Sequence, residues 1–258
     1  MQICTTRNER KSHEAICAVR ISLREESVEL GRVVIRFTTE VGEQLQTDKD
    51  IYVTDLDLKG MNIANISLVP LSSLRDLETV NLKSNAISEV DLGPLYECAN
   101  MRMLILSDNR IEAIDLSPLS RSSRLQALDL SQNRLSSIDL SPLANLRGMK
   151  WLYLSNNQLG EVNLMPLVRC TRLQYLVLAN NNLTRLDLSP LARFTDLRYL
   201  LLNGNRFNTL NISSIFRAMK LEHLVFDKGT ELAADSRLKH QDYFPRPIEE
   251  LLDTIIWI

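Results

Sequence analysis

The sequence has few of the residues from which catalytic and metal sites are usually built. It contains three histidines and four cysteines, and its eight glycines are scattered rather than grouped in a phosphate-binding loop. His13, His223 and His240 share no metal-ligand spacing, and the cysteines lack zinc-type spacing. No Ser–His–Asp or Cys–His arrangement can be assembled from the pattern. These absences predict a protein that is not an enzyme and needs no cofactor and no metal.

Long apolar segments and a strong net charge are missing as well. The N-terminal region has no apolar core of roughly 7–15 residues, so we expect no signal peptide. No run of about 18 apolar residues predicts a transmembrane helix. The formal net charge is −2, which gives no general attraction to nucleic acid or to an anionic membrane. We therefore expect a cytoplasmic protein that binds neither nucleic acid nor membrane.

What the sequence does contain is a unit that recurs every 24 residues, most clearly in LQALDLSQNRLSSIDL at Leu125–Leu140. Aligned on Leu-x-x-Leu-x-Leu, the units begin at Val53 and the last begins at Leu221. Six units have an asparagine in the same register: Asn85, Asn109, Asn133, Asn157, Asn181 and Asn205. Met61 and Gly229 replace it in the first and last units, as expected of terminal repeats. The period predicts a repeat protein in which each unit packs on its neighbours.

The motif LxxLxLxxNxL resembles the signature of the leucine-rich repeat family over roughly residues 51–228. The resemblance implies an α/β fold, a curved solenoid of about eight repeats with one short parallel strand per repeat on the concave side. It also implies that the asparagine side chains form a buried ladder bonded to neighbouring backbones. Asparagine suits that role because its amide carries both hydrogen-bond donors and an acceptor.

The second half of each unit contains a Ser–Pro pair that predicts a short helix on the convex side. Ser117, Ser141 and Ser189 are expected N-caps, followed by proline at the first helical position. One such helix is predicted at Pro142–Leu146. The aspartates before these helix starts are expected to have a structural role, since carboxylates stabilise helix N-termini: Asp91, Asp115, Asp139 and Asp187.

The segments that flank the array are expected to cap it. Residues 1–50 form the N-terminal segment and cap, residues 51–228 the solenoid, and residues 229–258 the C-terminal cap. Apolar alternation over Val19–Leu23 and Val33–Phe37 predicts a β-hairpin or a small α+β unit, with a helix over residues 28–45 as the alternative. A terminal helix is predicted from Pro247, with apolar residues through Ile256 on one face. An alternative is that the natural chain continues past Ile258.

Two of the cysteines occupy equivalent places in the repeat. Cys98 and Cys170 are 72 residues apart, which is three repeats. Stacked strands place them about 15 Å apart, too far for a disulfide. We expect both to be reduced and to face inward, which agrees with a cytoplasmic location.

The outward-facing residues of the strands change character midway along the array. The early repeats carry small and acidic groups such as Asp55, Asp57 and Asp129. From Trp151 onward the same positions carry aromatic and aliphatic side chains, although aromatics make up only 5% of the chain. The predicted partner-binding residues are Trp151, Tyr153, Tyr175, Val177, Arg198, Tyr199, Leu201 and His223, with Lys150 beside them.

This surface predicts a monomeric module that binds another protein on its concave face. Two structural alternatives are cross-strand packing of the aromatic side chains and coverage of the patch by the C-terminal cap. Alternative functions are a regulatory or targeting subunit of an enzyme, an enzyme with its active site in residues 1–50 or beyond Ile258, and a nucleic-acid-binding protein. The last would use a surface stripe of arginines: Arg110, Arg134 and Arg206.

Overall fold

The computed structural model describes residues 28–29 and 31–258, so the alternating run Val19–Leu23 lies outside the described residues. Within these residues the chain forms fifteen strands: β1 (Val28–Glu29), β2 (Arg32–Thr39), β3 (Gln44–Asp50), β4 (Asp55–Asp57), β5 (Ile63–Ile66), β6 (Thr79–Asn81), β7 (Met103–Ile105), β8 (Ala127–Asp129), β9 (Trp151–Tyr153), β10 (Tyr175–Val177), β11 (Tyr199–Leu201), β12 (Thr209–Asn211), β13 (His223–Val225), β14 (Glu231–Ala234) and β15 (Ile255–Trp257). The described helices are α1 (Arg246–Glu249) and nine short 3₁₀ helices: Val69–Ser73, Gly93–Glu97, Ser117–Arg121, Ser141–Leu143, Met165–Arg169, Ser189–Arg193, Ser213–Arg217, Ser236–His240 and Leu252–Thr254.

Eight of these strands form one parallel sheet along the concave side, in the order β4-β6-β7-β8-β9-β10-β11-β13. Each strand pairs with the equivalent residues of the next repeat, as Leu128 does with Leu152. The middle residue of each strand points inward, and in β4 to β11 it is fully buried. The predicted solenoid with a parallel sheet is confirmed.

The asparagine side chains join neighbouring repeats at the turn that follows each strand. Asn133 Oδ1 accepts a hydrogen bond from the N–H of Ile111 at 3.0 Å. Its Nδ2 donates to the carbonyls of Leu106 and Leu130 at 3.0 and 3.1 Å. Equivalent bonds are made by Asn85, Asn109, Asn157, Asn181 and Asn205. Each amide therefore satisfies backbone groups that the turn would otherwise leave unpaired.

The convex helices are shorter than predicted and are capped by a different residue. The segment predicted as Pro142–Leu146 is a 3₁₀ helix at Ser141–Leu143, and its N-cap is Leu140. The N–H of Ser141 donates to Asp139 Oδ1 at 2.8 Å, and Ser117 donates in the same way to Asp115. The predicted serine N-caps are therefore wrong, because the aspartate two residues earlier already accepts the free N–H.

The segment before the repeats forms an antiparallel hairpin of β2 and β3. The alternating residues Val33, Ile35 and Phe37 are buried on one face of β2. β2 also pairs with β5 of the first repeat, which attaches the hairpin to the solenoid. The alternation is thus that of a strand, and the helical alternative over residues 28–45 is wrong.

The C-terminal segment ends in a strand rather than a helix. α1 covers only Arg246–Glu249, and β15 pairs in parallel with β14, which pairs with β12. The helix predicted from Pro247 through Ile256 is therefore wrong beyond Glu249. The residues Ile255–Trp257 are β-branched or aromatic, and they pair with an edge of β14 that would otherwise be open.

Candidate interaction surface

Two columns of side chains face outward from the concave sheet, because they are the first and third residues of its three-residue strands. The first column is Asp55, Thr79, Met103, Ala127, Trp151, Tyr175, Tyr199 and His223, and the second is Asp57, Asn81, Ile105, Asp129, Tyr153, Val177, Leu201 and Val225. The pairing places equivalent residues of neighbouring repeats side by side. The predicted change from small and acidic to aromatic side chains therefore occurs between β8 and β9.

Four rings in the second half of the sheet form a continuous row, which we call the aromatic ladder: Tyr153, Tyr175, Tyr199 and His223. The rings of Tyr175 and Tyr199 are stacked, with centroids 4.4 Å apart and planes 8° apart. Tyr199 and His223 are stacked at 4.7 Å and 20°. Tyr153 joins diagonally from the other column, 6.3 Å from Tyr175 and tilted by 45°. The stack follows the strand spacing of about 4.8 Å, so the backbone itself sets the distance between the rings.

Trp151 lies on β9, directly opposite Tyr175 of β10 in the first column. The Nζ atom of Lys150 lies 5.5 Å from the centroid of the Trp151 ring, within the range of a cation–π contact. Both Trp151 and the three tyrosines of the ladder are half-buried, and His223 is exposed. The structure thus brings one indole, three phenols and one imidazole onto a single accessible face.

The other predicted residues contribute less to this face. Val177 is only 8% exposed, so it supports the sheet more than it offers surface. Leu201 is half-buried beside the ladder. Arg198 is exposed at the rim and forms an ion pair with Glu222, which offsets its charge.

The phenols of Tyr153 and Tyr199 remain uncharged at neutral pH. Burial raises the pKa of Tyr153, and the neighbouring Tyr175 and Asp129 raise it further. The pKa of Tyr199 is also raised, by desolvation first and then by Glu222 and Tyr175. Both of these hydroxyls therefore keep their protons and can donate a hydrogen bond, while the rings offer apolar contact.

The repeat motif itself identifies the family. The model of the leucine-rich repeat matches residues 51–111 and 99–159, and a second leucine-rich repeat model matches residues 172–194. The chain belongs to the leucine-rich repeat family. No curated protein matches the chain at a significant level of similarity.

Solved structures share this leucine-rich repeat fold. Internalin C2 from Listeria monocytogenes is 24% identical, the match covers 68% of this chain and 81% of that chain, and the TM-score is 0.53. The plant peptide hormone receptor RGFR1, solved in complex with RGF2, is 22% identical with a TM-score of 0.58. That match covers 68% of this chain but 28% of the receptor chain. These likenesses show the fold.

The C-terminal segment of this leucine-rich repeat protein lies at the end of the ladder and does not lie over it. An open groove of about 790 Å³ separates β13 from α1. His223 and Val225 line the groove from the sheet, and Arg246 and Glu250 line it from the cap. The described part of the cap therefore leaves the aromatic face accessible, contrary to the alternative in which it covers the patch.

The described residues contain no group of three His, Cys, Asp or Glu side chains that could hold a metal ion. His13 lies outside these residues. None of the described helices has the length and apolar character needed to cross a membrane.

Sequence inspection missed a group of cations on the edge of the repeats, at the beginning of the strands. Arg124 and Arg172 lie there with Lys150 and Arg102, around one recess next to Trp151. Each side chain looks like an ordinary surface charge when it is considered alone. The group of cations can be recognised in the sequence only when the residues just before each strand are aligned across the repeats. The two outward-facing columns of the sheet are recognised by the same alignment.

Proposed function

We propose that this leucine-rich repeat protein binds another protein on its concave sheet, mainly through Trp151 and the aromatic ladder, and that it has no catalytic activity of its own. The observation that carries the proposal is the continuous row of rings on one accessible face of a preformed sheet. Tyrosine and tryptophan are the residues that most often dominate binding energy at protein interfaces.

The first half of the array argues against the alternative that the rings only stabilise the sheet. Strands β4, β6, β7 and β8 belong to the same parallel sheet with Asp, Thr, Met and Ala in the first column. The sheet therefore does not need aromatic side chains there. Cross-strand pairs contribute roughly 0.2–1 kcal/mol each, whereas an interface hot spot contributes about 2 kcal/mol or more.

Charged groups on the same face supply a basis for selectivity. Asp55 and Asp57 are exposed at one end, and the Arg198–Glu222 pair lies at the rim near the other end. Charges at the rim of an interface mainly set orientation and association rate. A rigid, preformed surface needs little rearrangement on binding, which favours affinity. The leucine-rich repeat receptor RGFR1, solved with RGF2, is consistent with partner binding by this fold. The cytoplasmic location and the monomeric state stay predictions.

Affinity capture with three immobilised proteins tests this proposal: the wild type, Trp151→Ala/Tyr175→Ala, and the control Tyr52→Ala/Tyr243→Ala. The control also removes two rings, and Tyr52 and Tyr243 are 74% and 78% exposed outside the concave sheet. Proteins bound from an extract are quantified by mass spectrometry. We expect a partner that the wild type and the control retain and the concave variant loses.

Two other results would redirect the proposal. Equal retention of every bound protein by all three forms would contradict binding through the concave aromatic surface. An enzyme retained by all three forms in a fixed stoichiometry would favour the alternative of a regulatory or targeting subunit.

A further inference from the structure

Three consecutive repeats carry cations, without carboxylates, in the segments that lead into their strands. These segments are residues 117–126, 141–150 and 165–174, and they contain no Asp or Glu. Arg121 and Arg124 of the first segment recur in register as Arg169 and Arg172 of the third, and the middle segment carries Arg147 and Lys150 at nearby positions. The same segment of each flanking repeat contains a carboxylate, such as Glu97 before and Asp196 after. The cationic edge is therefore confined to the middle of the solenoid.

Part of this edge forms a recess of about 300 Å³. Arg102, Arg124, Lys150 and Arg172 line it together with Gln126 and Gly148. Gly148 occupies the position held by Arg124 and Arg172 in the adjoining repeats, so its missing side chain leaves space between these two arginines. We call this the cationic recess.

The cations of the recess are largely without ion-pair partners. Arg102 pairs with Glu78 at 2.9 Å. Among the described residues, the side chains of Arg124, Lys150 and Arg172 have no carboxylate within 4.0 Å. Unpaired like charges at this spacing repel one another and do not help the fold. Their positive potential is available to a ligand.

The recess is continuous with the aromatic surface. Lys150 contributes to both, because it lines the recess and its Nζ atom lies 5.5 Å from the Trp151 ring centroid. A partner that lies across β9 and β10 can therefore place apolar side chains on the ladder and acidic side chains in the recess.

We infer that the cationic recess binds the carboxylate side chains of an acidic segment of the partner protein, at the edge of the concave sheet beside Trp151. This inference rests on the proposed function, since it names the chemistry of the same partner. Arginine suits the role because its planar guanidinium can bind a carboxylate through two parallel hydrogen bonds.

The size of the cationic edge favours an acidic peptide over nucleic acid. Three strands span about 10 Å, which is enough for only two or three phosphates of a single strand. Paired charges border the cationic edge on both sides, namely Glu78 with Arg102 and Asp196 with Lys220. A longer polyanion would extend beyond the recess toward these carboxylates.

Fluorescence anisotropy with labelled octaglutamate and octaglutamine peptides tests the inference. The recess variant is Arg124→Gln/Lys150→Gln/Arg172→Gln. The matched control, Lys83→Gln/Arg206→Gln/Lys228→Gln, removes the same charge from the opposite edge of the repeats. We expect the wild type to bind octaglutamate more tightly than octaglutamine. The recess variant should bind octaglutamate roughly tenfold more weakly, and the control should stay within about twofold.

Two further measurements show whether a loss of binding comes from a loss of structure, and whether the recess acts independently of the aromatic ladder. The recess variant should melt close to the wild-type temperature, because it loses the repulsion between like charges and only one weak attractive contact, that of Lys150 with the Trp151 ring. Trp151→Ala/Tyr175→Ala should keep most of its octaglutamate binding, because that peptide has no apolar side chain. If octaglutamate does not bind as expected, the proposal that a partner binds through Trp151 and the aromatic ladder is unaffected. If Trp151→Ala/Tyr175→Ala loses no partner in the affinity capture, the octaglutamate result is unaffected.

Three outcomes would overturn the inference. The first is equal binding of octaglutamate and octaglutamine by the wild type. The second is an equal loss in the recess variant and its control, which would show dependence on net charge alone. The third is tighter binding of an eight-nucleotide oligothymidylate than of octaglutamate, which would favour nucleic acid.

Discussion

At the scale of single residues, every internal repeat places the residue before the ladder asparagine in a left-handed backbone conformation. The φ angle is 55° or 57° at Ser84, Asp108, Gln132, Asn156 and Asn180. Gly204 occupies the same position with φ of 70°. A side chain costs about 1 kcal/mol or more in this region. Gly204 also needs its missing side chain for space, because an added Cβ atom would lie 2.0 Å from Asn180 Oδ1 and 3.0 Å from its Cα.

Gly204→Ala should therefore lower the free energy of unfolding by about 1–3 kcal/mol, through backbone strain and the clash with Asn180. Gly160→Ala is the matched control, since an added Cβ there meets nothing within 4 Å. Urea unfolding should show a change of at most about 0.5 kcal/mol for the control. Equal stabilities for the two variants would contradict the account of this turn.

The two buried thiols give a second prediction at this scale. Burial raises the pKa of Cys98 and of Cys170 to about 11 in each case. At pH 8 the thiolate fraction is then roughly a hundredfold below that of an exposed cysteine. In a Cys4→Ser/Cys17→Ser background, we expect iodoacetamide to modify the folded protein at least that much more slowly than the urea-unfolded protein. Similar rates in the two states would contradict the burial of these thiols.

At the scale of elements, the six convex turns from Gly93–Glu97 to Ser213–Arg217 each follow an aspartate or asparagine whose Oδ1 accepts the first N–H of the turn. The pKa of Asp115 is lowered because the Ser117 side chain and backbone N–H donate to the carboxylate. The pKa of Asp139 is lowered in the same way by Ser141, while desolvation and the nearby Asp115 oppose this shift. A depressed folded pKa adds stability that is present above the unfolded value of about 3.9 and is lost as the pH falls through the folded value.

The variant Asp115→Asn/Asp139→Asn should remove this pH dependence while keeping the turns. Asparagine already fills the same role at Asn163 and Asn211, where its Oδ1 accepts the N–H two residues later. Urea midpoints should be similar at pH 7, and between pH 5 and pH 3 the wild type should lose more stability than the variant. Parallel curves over that range would rule out these carboxylates as the source.

The strands could be predicted from sequence because apolar residues recur at the inward strand positions of every repeat. Leu128, Leu152 and Leu176 occupy one inward position, and only a strand in this register buries all of them. The caps of the convex turns were assigned to serine because serine precedes proline, which is the usual helix-start pattern. The structure instead uses Asp115 and Asp139, since an aspartate two residues before the first free N–H can reach it directly.

At the scale of the whole molecule, the interior repeats were predictable and the C-terminal end was not. Inside the array each unit meets a copy of itself, so one repeat specifies the next. At the C-terminal end, the N–H groups of Gly204 and Asn205 donate to the Asp227 carboxylate at 2.9 and 3.0 Å. In earlier repeats the equivalent N–H groups donate to backbone carbonyls of the next repeat. Ile255–Trp257 then completes a sheet that has no counterpart in the repeat. Such contacts follow from non-repeating residues, which periodicity does not describe.

The concave surface was predictable as two columns of residues, but its geometry was not. Strand alternation specifies which side chains face outward, including Trp151 and Tyr175. It does not specify that Tyr175 and Tyr199 stack or that Val177 is nearly buried, since these depend on side-chain rotation and local packing. The cationic recess likewise needs the spatial position of Gly148 between two arginines.

The central claim is that the concave aromatic surface binds a protein partner, and calorimetric titration with the partner identified by capture tests it most directly. Trp151→Ala/Tyr175→Ala should raise the dissociation constant by roughly a hundredfold or more, because hot-spot truncations cost about 2 kcal/mol each and are not strictly additive. Tyr52→Ala/Tyr243→Ala should leave the dissociation constant within about twofold of the wild type. Wild-type affinity in the concave variant, with its fold intact by circular dichroism, would contradict the claim.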